Sequence, residues 1–282
     1  MKVRLLTSLG ILIFGLPLLL LSEFIVYPIA LGVLSCISAW ELLRVFGLHK
    51  KYVVCIPVYL VSALLPFFSS QEFISAERHN AYILVMALTL FSLLIWLAAV
   101  AVFSRGSISY RSCTAVFMAV TYVTVSFTSL SLLRYMELGV YFFELVFISA
   151  WMCDSFAYFT GRLFGKHKLA PELSPKKTVE GSLGGVAFSI IGCLLYGLII
   201  ELIEPSLDAN YIMLAVIGVV GAFVAQVGDL WASLIKREYG VKDYSRLLPG
   251  HGGIMDRFDS ILAVSTVIMV ICIFAPPFVA AA

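Results

Sequence analysis

Gln226–Ser260 reads QVGDLWASLIKREYGVKDYSRLLPGHGGIMDRFDS, the most polar stretch of a chain that is otherwise largely apolar. Its first half is helical in pattern. Gln226, Asp229, Ser233 and Lys236/Arg237 recur at the spacing of a single helix face. A polar stripe on a membrane helix must face protein or a water-filled cavity. The second half is loop, with Lys242-Asp243 followed by Pro249-Gly250-His251-Gly252-Gly253. Asp256-Arg257-Phe258-Asp259 then opens another apolar run. Carboxylates, bases and glycines that let backbone N–H groups approach a ligand point to a metal-plus-phosphate site.

Outside this stretch, composition decides the class. Of 282 residues, 61% are hydrophobic and only 13% charged, which is a polytopic membrane protein rather than a soluble core. Six cysteines (36, 55, 113, 153, 193 and 272) sit in apolar runs without a C-x-x-C pair, so they read as buried thiols, not as a zinc or disulfide framework. No Walker-type glycine–lysine loop occurs, which argues against a P-loop ATPase.

Nine apolar segments are long enough, or nearly so, to cross about 30 Å of hydrocarbon. They fall near 5–22, 25–46, 52–68, 81–103, 113–133, 138–161, 182–203, 211–235 and 260–280. The first follows Lys2 and Arg4 like a signal peptide. It lacks a small-residue cleavage site and is read as an uncleaved helix. With the N-terminus cytoplasmic, 17 of the 19 Lys and Arg fall on the inner side, all but Arg78 and Arg134. Glu23, Glu72, Glu77, Glu137, Glu201, Glu204 and Asp208 fall on the other. The expectation is an all-α, multi-pass protein of the inner membrane, with its active site toward the cytoplasm and its C-terminus outside. Residues 1–135 form scaffold helices. Residues 136–282 form the catalytic region, with cytoplasmic loops 162–181 and 236–259. In the scaffold, Glu41 and Arg44 read as a local pair near a helix end.

Asp154 lies about seven residues inside the end of its segment, roughly 10 Å deep, with Tyr158 and Arg162 on the same face. Asp229 lies at a similar depth inside Lys236. Each such carboxylate costs about 2.5–3.5 kcal/mol at a helix centre and less near the interface, so a cation or nearby bases must offset it. Ser174-Pro175-Lys176-Lys177 suits a helix N-cap with proline at the first turn and lysines just inside, an anion site or simply positive-inside charge. Gly181, Gly184, Gly185, Gly218 and Gly221 read as close-packing positions.

The motifs resemble those of the phosphatidate cytidylyltransferases, also called CDP-diacylglycerol synthases. The resemblance runs through Ser233-x-Ile-Lys-Arg, Lys242-Asp243 and Leu248-Pro249-x-His251-Gly-Gly-Ile-x-Asp256-Arg257-Phe258-Asp259. Ser174-Pro175-Lys176-Lys177-Thr178-x-Glu180-Gly181 and Asp154-x-x-Ala-Tyr158-x-x-Gly161 are similar to two further family motifs. The resemblance implies transfer of CMP from CTP to phosphatidic acid, giving CDP-diacylglycerol and pyrophosphate. Magnesium, with room for a second cation, would neutralise the two anions and the leaving group. Asp229 and Asp256 are the expected ligands and catalytic residues, with Asp259 and Asp154 as weaker ligands. Lys236 and Arg237 are expected at the reacting phosphates. Lys176, Lys177, Lys242, Asp243, Ser233, His251, Gly252, Gly253 and Arg257 are expected to bind substrate, together with Asp154. His251 stands without the second histidine that soluble cytidylyltransferases use, and a turn role is open for it. The expected partners are CTP, phosphatidic acid and membrane lipids, without nucleic acid, and a homodimer is open. A related enzyme acting on another lipid phosphate or alcohol would share these motifs. A secondary transporter would show repeated halves and midplane charge, and this chain has neither.

Overall fold

A computed structural model describes residues 22, 24–69 and 79–281. Among these are eight helices: α1 Val26–Val45, α2 Tyr52–Phe68, α3 His79–Phe103, α4 Tyr110–Arg134, α5 Gly139–Phe164, α6 Val179–Ile203, α7 Tyr211–Glu238 and α8 Met255–Phe274. All but α2, with 17 residues, are long and apolar enough to cross a membrane. The chain is a helical, multi-pass membrane protein. The expected helix at 5–22 falls outside the described residues apart from Ser22, as do Glu23, Glu72, Glu77 and Arg78.

The expected segment 260–280 is displaced at both ends. Helix α8 begins at Met255, and Pro276-Pro277 bars its continuation past Phe274. Phe278–Ala280 instead forms strand β4, antiparallel to β3, Leu207–Ala209, with Asp208 opposite Val279. The N-cap expected at Ser174 is also corrected. Ser174–Thr178 is strand β2, paired antiparallel with β1, Lys168–Ala170. A proline is tolerated in such a two-stranded edge. The cap of α6 is Thr178, whose Oγ1 accepts from the Gly181 N–H at 3.1 Å.

The chain forms two compact units. One comprises the described part of residues 1–135 together with Glu238–Arg257; the other comprises Met136–Arg237 and Phe258–Ala282. The segment 238–257 therefore belongs with the described N-terminal helices.

In the first unit α1 packs on α2 and α4, and α4 also packs on α2 and α3. Polar ties cross these contacts: Ser62 Oγ meets Thr124 Oγ1 at 3.2 Å, and Tyr82 donates to the Leu65 carbonyl. In the second unit α5 and α6 are in intimate contact. A Cβ on Gly181 would lie 2.6 Å from the Ala157 carbonyl oxygen, and one on Gly185 would lie 2.8 Å from that of Cys153. Gly184 faces Thr160, Gly218 faces Ile190, and Gly221 faces Ser149. The packing role expected for these glycines holds. Phe156 stacks on Phe188 with ring centroids 3.8 Å apart. The cysteines are all free thiols, five of them buried.

Candidate active site

In the second unit, a cavity of about 300 Å³ opens beside α5, α6, α7 and the β1–β2 hairpin. Asp154, Tyr158 and Arg162 reach it from one face of α5, as their spacing requires, and Arg162 Nη1 lies 3.5 Å from the Tyr158 hydroxyl. Lys176 and Lys177 reach it from β2, and Gln226 and Asp229 from α7. The Lys177 ammonium pairs with Asp229 Oδ2, and both side chains remain partly accessible. Asp154 Oδ2 accepts from the Ser260 hydroxyl at 2.9 Å. Asp259, on the same turn of α8 as Ser260, feels the charges of Asp229, Asp154 and Lys236.

Two sets of contacts hold these groups. Gln226 is buried, accepts from the Ser182 hydroxyl and donates to the Ser182 carbonyl at 3.3 Å, tying α7 to α6 three residues before Asp229. Glu180 accepts from the Lys166 N–H at 3.0 Å and contacts His167 Nδ1 at 2.6 Å, closing the base of the hairpin that bears the lysines. Arg237 Nε donates to the Leu173 carbonyl at 3.4 Å, so this residue also secures the hairpin. Ser233 is half-buried one turn beyond Asp229.

The motif loop of the first unit is built differently. Gly240, Gly250 and Gly252 have φ of 66°, 77° and 84°, values that favour glycine. His251 sits in a tight turn in which the Leu248 N–H donates to the Gly252 carbonyl at 2.9 Å. Asp256 is buried, and its Oδ2 accepts from the Tyr244 N–H at 2.8 Å and the Gly253 N–H at 2.9 Å. Lys242, Asp243, Arg246, His251, Gly252 and Arg257 line a polar cavity of about 700 Å³.

Glu41 departs from its expected role. It is fully buried and makes no ion pair with Arg44, whose guanidinium instead lies 5.7 Å over the Trp40 ring. Glu41 Oε1 accepts from the Ser245 hydroxyl at 2.5 Å and the Ile254 N–H at 3.0 Å, and Oε2 accepts from the Met255 N–H at 2.8 Å. Burial of a carboxylate requires such saturation, which neighbouring Arg44 does not supply. The clue was available in sequence: an acid within an apolar helix faces protein or a water-filled cavity.

The donors offered to a cation are all oxygens, which suits a hard ion such as magnesium. Among the described residues no three acidic, histidine or cysteine side chains converge on one metal-binding point. Magnesium often takes only one or two protein carboxylates and completes its shell with water and phosphate oxygens, so Asp229 and its acidic neighbours fit that mode.

Helices of this length and composition, gathering acids and lysines around one cavity, define a multi-pass membrane protein with a charged cavity. Comparison with known proteins gives the family. The model of the cytidylyltransferase family matches residues 2–275, and the chain belongs to that family. Its relatives include the phosphatidate cytidylyltransferase of Staphylococcus epidermidis, 34% identical over 280 residues, with 97% of this chain and 99% of the relative covered. That of Staphylococcus haemolyticus is 33% identical with the same coverage. That of Bacillus subtilis is 33% identical over 268 residues, 94% of each chain.

Proposed function

We propose that this chain transfers CMP from CTP to phosphatidic acid in the membrane, yielding CDP-diacylglycerol and pyrophosphate. The observation that carries this reading is the Lys177–Asp229 pair in a cavity that also collects Asp154, Arg162 and Lys176 on membrane helices. A phosphate oxygen of the lipid attacks the α-phosphorus of CTP as the bond to the bridging oxygen of the β-phosphate breaks. The nucleophile is already an oxyanion, so the protein needs no strong base. Its task is to hold two mutually repelling anions together and to stabilise the departing pyrophosphate.

Lys176, Lys177 and Arg162 supply positive charge at the second unit's cavity, and Lys242, Arg246 and Arg257 supply it around the glycine-rich loop of the first. Lys236 and Arg237 add basic charge at the end of α7 in the second unit. Magnesium, when bound, would draw charge from the phosphate oxygens and so favour departure of pyrophosphate. Asp229 is the ligand with the strongest claim, with Asp154 and Asp259 beside it; Asp256 keeps its assignment on the motif. A carboxylate held rigidly by backbone amides, as Asp256 is, matches how ligating carboxylates are supported elsewhere. The distribution of Lys and Arg supports a cytoplasmic position for the loops at 162–181 and 236–259, on the side where CTP is available.

The test is incubation of the purified protein with labelled CTP, phosphatidic acid and magnesium, following lipid product and pyrophosphate together. Equal amounts of labelled lipid and pyrophosphate are expected. Pyrophosphate without labelled lipid, or neither product, overturns the reading.

A further inference from the structure

We infer that Glu41 is a positioning residue for this reaction: a carboxylate from α1 that fixes the glycine-rich loop and the entry of α8 in the shape that receives phosphate. The inference rests on the function proposed above.

Glu41 has no solvent exposure, yet it lies about 200 residues from its partners in the chain. Three donors converge on it: the Ser245 hydroxyl and the backbone N–H groups of Ile254 and Met255. The two amides belong to the entry of α8, where N–H groups have no partner within the helix. Ordinarily a side chain just ahead of the helix caps them. Here a distant helix does so, and the loop is thereby bound to α1 at both Ser245 and Ile254.

Gly253 completes the lock. A Cβ there would lie 2.2 Å from Glu41 Oε1, and its three nearest atoms all belong to the Glu41 carboxyl group. The backbone of Gly253 does not need φ in the left-handed region, so this close approach, and not a turn, is what requires glycine. The Gly253 N–H is at the same time held by Asp256 Oδ2. The loop between Tyr244 and Asp256 is thus gripped by two carboxylates, one from its own end and one from α1. The hydrogen bonds of Glu41 go to this loop and to the first residue of α8. Its contribution is shape.

The experiment is a kinetic cycle on the intact enzyme in membranes or detergent, using Glu41→Gln, Gly253→Ala, Glu41→Asp and the Glu41→Asp/Gly253→Ala pair. Ser62→Ala, which removes a buried hydrogen bond in the same unit, is the control for simple loss of stability. Displacing catalytic geometry by about 1 Å costs on the order of 100-fold in rate. Glu41→Gln, whose amide turns a donor toward backbone donors, is expected to lower kcat/KM for CTP by about 10- to 100-fold. Its thermal midpoint should stay near that of Ser62→Ala. Hydrogen exchange should quicken at residues 244–256 and not in α2–α4.

Gly253→Ala alone should show a comparable kinetic loss. Glu41→Asp withdraws the carboxyl by about 1.5 Å, one bond length, so Gly253→Ala should cost several-fold less on that background. Wild-type enzyme that makes labelled lipid while Glu41→Gln stays within twofold of it overturns the positioning role and leaves the proposed function standing. Independent losses, with no relief in the pair, also overturn it. Where Glu41→Gln fails to fold, Gly253→Ala and the pair decide alone. Absence of product in the wild type condemns the proposed function instead.

Discussion

In the loop ahead of α8, Glu41 and Asp256 accept from backbone N–H groups that cannot move without unravelling the turn. In the cavity beside α5, Asp154 and Asp229 instead meet the tips of side chains, the Ser260 hydroxyl and the Lys177 ammonium. Backbone partners make a carboxylate part of the scaffold. Side-chain partners can swing away, so on the proposed function the second pair would exchange them for a cation and leave Lys177 to a phosphate. Acidic residues of equal formal charge in one chain are thus held fixed by backbone amides in one place and by mobile side chains in the other.

This contrast is open to attack at several points, beginning with the most damaging. Asp229→Asn should lower turnover by about 1000-fold while normal amounts of folded protein remain in the membrane. Activity within tenfold of wild type would remove Asp229 from the exchanging class. Stripping divalent ions with EDTA should abolish turnover, and magnesium should restore it; full activity after chelation would discard the metal. Lys177→Met should lower kcat/KM for CTP by roughly 100-fold, with Lys177→Arg recovering part of the loss. Equal behaviour of the two variants would mean that charge at this position is irrelevant.

Gly185→Val forces side-chain atoms between α5 and α6, so it should cost about 1–3 kcal/mol of stability and lower the thermal midpoint. An unchanged midpoint in a melting assay would contradict the tight contact. Ser260→Ala removes one hydrogen bond from Asp154, a contact worth about 0.5–1.5 kcal/mol, and should reduce turnover only a few-fold. Lys51→Ala lies outside both regions and should leave kinetics within twofold.

Much of this architecture could be read from the chain itself. Hydropathy marked every described helix except α8 to within three residues, because in hydrocarbon each span must satisfy its own backbone. The spacing of Asp154, Tyr158 and Arg162 placed them correctly on one face, and the glycines of α6 and α7 were legible as contacts. Local pattern could not reveal the strand at Ser174–Thr178, whose partner at Lys168–Ala170 competes with a plausible cap. It also missed the turn of Phe278–Ala280 onto β3, a pairing that spans some 70 residues. Glu41 was misread because Arg44, one turn away, offered a nearer explanation than a loop 200 residues distant. Long-range partners of buried charge are set by tertiary structure, and spacing along one helix does not encode them.

The Lys177–Asp229 pair has a thermodynamic consequence. On the proposed function, a divalent ion approaching Asp229 would compete with the ammonium for the same oxygen, so its affinity in the resting molecule would be held down. Nucleotide phosphate would give the displaced ammonium a new counter-charge, and linkage would then demand that ion and nucleotide tighten one another by an identical factor. Such reciprocity would keep the resting enzyme from sequestering cations and reserve a fully charged centre for the moment its nucleotide arrives.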